Sequence, residues 1–209
     1  MSPRDTHRFR PTLRNVSVQV QGVADLPRPF RAALAGLDTV EMRPEVSISP
    51  MPPPQRLAPY AVALLATAIR DGEELAEGRL VVLHDPAGQD VWAGDTRCVA
   101  YVQAGIDIEM AGDPLLPGVG WSWLVEALAT AGAEAAAIGG TVTRTTSERY
   151  GTLAGPAPDA DVEIRASWSP IGDLAPHVVA FGELLCAAGG LPPLPPGVTP
   201  MPKRRAKTR

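Results

Sequence analysis

Lysine, cysteine and aromatic residues are scarce in this chain of 209 residues, and each shortage closes off a class of function. Lysine occurs only as Lys203 and Lys207, so no P-loop lysine is available to reach a nucleotide phosphate. Two cysteines are too few for a disulfide scaffold. Cys98 and Cys186 stand far apart, as do His7, His84 and His177, so no short-spaced zinc ligand set exists. Both cysteines fall on expected apolar faces and read as buried free thiols, which suits a reducing cytosol. The chain lacks the apolar core of a signal peptide near its start. Its longest apolar run, 58–69, is well short of the roughly 20 residues that cross a bilayer. A cytoplasmic protein is expected, with no membrane partner.

What is present points to one folded domain. Hydrophobic residues make up 45% of the chain, too many for wholesale disorder, and the length suits one well-buried core. The net charge of −4 is unevenly spread. Residues 1–14 carry +3 and the tail, with Lys203, Arg204, Arg205, Lys207 and Arg209, carries +5, which leaves the body at −12. An acidic body does not grip polyanions, so only the ends could bind phosphates.

Apolar periodicity divides the chain into elements. Residues 1–26 read as a flexible extension, although Val16, Val18 and Val20 alternate as a short strand would. Phe30, Ala33, Leu34 and Leu37 recur at helical spacing after Pro29. Met42, Val46 and Ile48 alternate, and Pro44 restricts that strand to a sheet edge; 50–54 is a stiff, Pro-rich connector. The stretch 57–70 has no charge before Arg70 and reads as a helix buried all round, stopped by Asp71-Gly72. Leu80 to Leu83 form a short strand, with a turn at 85–89. Over 96–108, Cys98, Ala100, Val102, Ala104, Ile106 and Ile108 point one way, while Arg97, Tyr101, Gln103 and Asp107 point the other. A loop at 112–118 leads to a helix over 120–131 with a stripe of Trp121, Leu124, Val125 and Leu128. Strands follow at 137–146 and 161–169, and a last helix starts at Asp173 and stops at Gly189. The expected fold is α+β in two layers: an antiparallel sheet of about 4–5 strands with helices on one face, in helix–hairpin–helix–hairpin–helix order. The expected domain is 27–190, followed by a Pro-rich arm and basic tail over 191–209.

Six blocks carry a resemblance: QRLAPYAVAL (55–64), DGEELAEGRLVVLHDPAGQDVW (71–92), DPLLPGVGWSWLVEAL (113–128), GGTVTRTTSERYG (139–151), VEIRASWSP (162–170) and LLCAAGGLPPLPPGV (184–198). Over about residues 27–199 the chain resembles an uncharacterised actinobacterial family, the domain-of-unknown-function family numbered three thousand. That resemblance implies no activity, so no residue inherits a role from it.

The residues themselves supply candidate sites but no catalytic set. Ser122 lacks the second glycine of a nucleophile elbow. Gly139-Gly140-Thr141 leads into a strand instead of a helix, so it is no phosphate cradle. Asp107, Glu109 and Asp113 are oxygen ligands around a loop, a common pattern that assigns no metal. The strongest polar group is Thr141, Thr143, Arg144, Thr145, Ser147, Glu148 and Arg149: hydroxyls in a row along one sheet face, with a guanidinium fork and a carboxylate near the strand end. It suits a small anion or a partner's edge. His84 and Asp85 end an apolar strand at a turn. Trp123 faces away from Trp121 and serves as a core-edge residue or an interface anchor. Lys203, Arg204, Arg205, Lys207 and Arg209 are the nucleic-acid candidates. The expectation is a non-catalytic interaction or adaptor protein with a protein partner or a second copy of itself, and with no cofactor or metal. The alternatives are an RNA-associated protein acting through its tail, and a ligand-binding protein or enzyme using a pocket of Thr143, Arg144, Glu148 and His84.

Overall fold

The turn at Asp71-Gly72 sets the frame of the molecule. Both residues have positive φ, 55° and 89°, as the two central residues of a type I′ hairpin turn require. The chain therefore folds straight back, with Arg70 opposite Glu73. A computed structural model describes residues 20–21, 26–155 and 157–194. Its strands are β1 (Val20–Gln21), β2 (Val46–Met51), β3 (Tyr60–Arg70), β4 (Glu73–Gln89), β5 (Gly94–Ile106), β6 (Ala135–Ser147) and β7 (Asp159–Pro170); its helices are α1 (Arg28–Ala35), α2 (Ile108–Gly112), α3 (Leu116–Thr130) and α4 (Ala175–Ala188). The sheet is antiparallel and runs β1-β3-β4-β5-β7-β6, with β2 also pairing with β3.

The α+β class stands, with corrections. The stretch 57–70 holds strand β3 and no helix. Its lack of charge reflects burial on both faces of a sheet interior, since Ala61, Val62, Ala63 and Leu64 are each 1% exposed or less. That strand and the pairing of Val20–Gln21 with β3 widen the sheet beyond 4–5 strands. The helix–hairpin order fails for the same reason: β2 to β5 follow one another without an α-helix between them. Leu80 to Leu83 belong to the 17-residue β4, which stays extended through the expected turn; there the register jumps from His84↔Thr96 to Gln89↔Gly94. Ile108 begins α2 and is exposed, and Val125 is 45% exposed instead of lying in the helix stripe.

The core lies between one sheet face and the helices. Leu80 and Val82 of β4, Cys98 to Ala104 of β5 at alternate positions, and Val162, Ile164, Ala166 and Trp168 of β7 point inward, as alternation requires. The main helix above them is α4, which buries Val178, Phe181, Leu184 and Leu185. Gly78 of β4 makes this close approach possible: a Cβ there would lie 2.7 Å from the Tyr101 carbonyl oxygen and 3.1 Å from the Phe181 ring. Phe30, Leu34 and Leu37 close the α1 end of the core, and α3 packs on α4 and β6. The opposite sheet face carries a small apolar cluster of Ala61, Leu83 and Trp92 at one end. Among the described residues, the remainder of that face is open.

Candidate functional site

Strand alternation puts a second row of side chains on the open face: Glu77, Arg79 and Val81 from β4, Arg97, Val99, Tyr101 and Gln103 from β5, Glu163, Arg165 and Ser167 from β7, and Thr141, Thr143 and Thr145 from β6. The middle of this face is a shallow groove of about 510 Å³ lined by Val81, Val99, Tyr101, Arg165, Glu77 and Arg79, with Gln103 beside them. Tyr101 pairs directly with Arg165 across β5 and β7. The guanidinium carbon lies 5.6 Å from the tyrosine ring centroid, a cation–π distance. Arg165 is steered from its own strand by Glu163, with Nε 2.8 Å from the carboxylate. The Tyr101 hydroxyl donates to Gln103 at 2.8 Å. Burial first, and the Glu163 carboxylate next, raise the Tyr101 phenol above its ordinary value, so it remains a neutral donor. Arg97 is committed nearby, donating to Ser167 at 2.8 Å and to the Ala137 carbonyl at 2.9 Å.

The residues expected to form one pocket are dispersed. Thr141, Thr143 and Thr145 are exposed in a row opposite Arg165, Glu163 and Asp161. Arg144 is on the other side of β6, where its Nη1 donates to the Ala111 carbonyl at 3.1 Å and to the Asp113 carbonyl, closing the end of α2. Glu148 accepts a hydrogen bond from the Tyr150 hydroxyl, and Arg149 holds Asp159. Asp85 accepts from the Ala87 backbone N–H and from Gln89, each at 3.1 Å, which is turn chemistry. His84 is buried and stacked on Phe30, with ring centroids 4.7 Å apart and planes 9° apart, and its Nδ1 is 3.0 Å from the Thr96 hydroxyl. It sits level with Thr96, whereas Arg144 sits level with Ala104 through Val162. Eight residues along a strand and three strands across put His84 and Arg144 roughly 30 Å apart, so they share no pocket.

The other reactive side chains are held by the fold. His177 is 1% exposed and accepts at Nδ1 from the Trp168 indole N–H at 3.0 Å. Burial lowers its pKa to about 4, so it is neutral, with its proton on Nε2. Cys98 and Cys186 are buried free thiols, pushed up to about 12 by desolvation. Among the described residues, no three His, Cys, Asp or Glu side chains gather as metal ligands. Asp113 serves its own loop by accepting from the Leu115 backbone N–H at 2.8 Å. Trp123 is half-buried on a cleft of about 420 Å³ between α3 and α4, beside Arg43, Glu126 and Glu183. Arg43 is itself 7% exposed and spans Glu183, at 3.3 Å, and the Pro192 carbonyl, at 3.1 Å.

The tail candidates Lys203, Arg204, Arg205, Lys207 and Arg209 lie outside the described residues, as do residues 1–19 of the extension and the arm beyond residue 194. No helix among the described residues is long and apolar enough to cross a membrane. The outward rows of β5 and β7 were legible from alternation alone, but the meeting of Tyr101 with Arg165 was not. That contact needs β7, the last strand in sequence, to insert between β5 and β6.

The family described as "Protein of unknown function (DUF3000)" matches residues 26–199, and the chain belongs to that family. No curated protein and no solved structure matches the chain.

Proposed function

We propose that this DUF3000 protein is a non-catalytic, cytoplasmic interaction protein that binds a protein partner across the open face of its sheet. The observation that carries the reading is the groove centred on Tyr101, Arg165 and Val99. A tyrosine and an arginine in contact, beside Val99 (37% exposed) and ringed by Glu77, Arg79 and Gln103, have the composition of an interaction hot spot with a polar rim. The surrounding chemistry favours binding over turnover. His84, His177 and both cysteines are engaged in the fold, while the exposed polar residues are spread over a broad face instead of converging. Two buried free thiols fit a reducing compartment. The mixed charges of the face suit a protein surface better than a polyanion.

The test is capture from native lysate with the wild type and with Arg165→Glu, at matched folding measured by circular dichroism. The partner should bind Arg165→Glu at least tenfold more weakly. Equal capture of the same partner by both proteins would remove the open face from the interaction.

A further inference from the structure

The two edges of the sheet are built differently. Strand β2 is six residues long and carries Pro50 within it, Pro44 shortly before it and Pro52, Pro53 and Pro54 after it. Proline removes a donor from the ladder, so that edge is guarded against pairing. Strand β6, at the other end of the sheet, has 13 residues and no proline. A bulge with Ala137 at φ 50° disturbs its start. From Gly139↔Ser167 to Ser147↔Asp159 its ladder to β7 is unbroken, and among the described residues no strand pairs with its outer side. Arg144 is the one charged residue in β6; it is exposed on the helix side of the strand, with its guanidinium donating to the Ala111 and Asp113 carbonyls. Proline and shortness are therefore missing as edge protections along 139–147, and the single charge there is tied to carbonyls of its own chain; such an edge is a template for another strand.

We propose that β6 pairs antiparallel with β6 of a second copy about a two-fold axis near Thr143, joining two sheets into one. The strand is complementary to itself: pairing about Thr143 sets Thr141 against Thr145 of the partner copy and Thr143 against itself, with no like charges opposed on the open face. The helix layer accommodates the same operation. A Cβ at Gly120 of α3 would touch both Val142 of β6 and Ile164 of β7, so α3 straddles those two strands. At about 4.8 Å per strand, the two α3 helices then lie about 10 Å apart, a packing distance. Trp121, which lies over Gly140, and Val125, one turn further on and 45% exposed, stand along that seam. A two-fold contact through this edge closes the assembly as a dimer instead of a filament. The inference does not rest on the partner reading above; it places two open faces side by side in one platform.

The experiment uses the purified full chain and charge-swapped variants at Thr143, an exposed position. Light scattering after size exclusion should give twice the chain mass for the wild type. Thr143→Lys alone and Thr143→Glu alone should each raise the dimer dissociation constant at least tenfold, and mixing the two should restore the dimer, because the opposed residues then attract. Hydrogen exchange supplies a readout without substitution: amides within 139–147 should gain protection as concentration rises. A monomeric wild type overturns the proposal. So does a dimer indifferent to both variants, or exchange in 139–147 that ignores concentration.

Discussion

The buried Trp168–His177 pair makes stability depend on pH in a way that one substitution can isolate. The indole donates to Nδ1 of a neutral imidazole, and no charged group opposes the burial that lowers the His177 pKa to about 4. In the unfolded chain the same group titrates near 6.5. Between these values the unfolded state binds the proton and the folded state does not, so stability is full above about pH 6.5 and falls as pH drops toward 4. For those two values the loss between pH 7 and pH 5 is about 2 kcal/mol. His177→Asn keeps an acceptor where Nδ1 stands but cannot titrate. Removing ring volume from the core should make the variant less stable at pH 7 by about 1–3 kcal/mol. At pH 5 the gap should narrow by about 2 kcal/mol, because only the wild type has lost the histidine contribution. Urea denaturation followed by circular dichroism at both pH values measures the gap, and the shared carboxylates, His7 and His84 cancel between the two proteins. A gap that stays constant with pH would refute the assignment of a neutral, buried His177.

Further expectations follow from the same packing. Gly78→Ala should destabilise the domain by about 1–3 kcal/mol, read as a lower thermal midpoint, because the new methyl meets the Tyr101 carbonyl and Phe181; an unchanged midpoint would contradict the close approach of α4 to β4. Cys98 and Cys186, with thiol values pushed up to about 12, should ignore an aromatic disulfide reagent in the native protein and react in denaturant; rapid native reaction would contradict their burial. Tyr101→Ala should weaken partner binding about 30-fold, the loss expected of a hot-spot residue, with little change in stability because the side chain lies on the open face.

Much of this architecture was legible one strand at a time. Cys98, Ala100, Val102 and Ala104, and then Val162, Ile164, Ala166 and Trp168, alternate cleanly because each strand has one covered and one open face. Strand β3 was not legible, since an apolar run covered on both sides has no period to read. The decisive local signal was Asp71-Gly72: the same dipeptide stops a helix or turns a hairpin, and the two positive φ values select the hairpin. The site was half legible. The threonine row is where alternation puts it, but alternation also sends Arg144 to the opposite face. His84 reads as a strand-end polar residue, yet Phe30, 54 positions earlier, covers it, and such a contact has no local signature.

The open face is the proposed place where a partner binds, and the basic tail is its rival. Capture by the full chain, by a truncation ending at residue 202 and by a Tyr101→Ala, Arg165→Glu double variant, with bound protein and nucleic acid both identified, sets the two against each other. Binding through the open face predicts a protein partner retained by the truncation and lost by the double variant. A partner or RNA retained by the double variant and lost with the tail would contradict it.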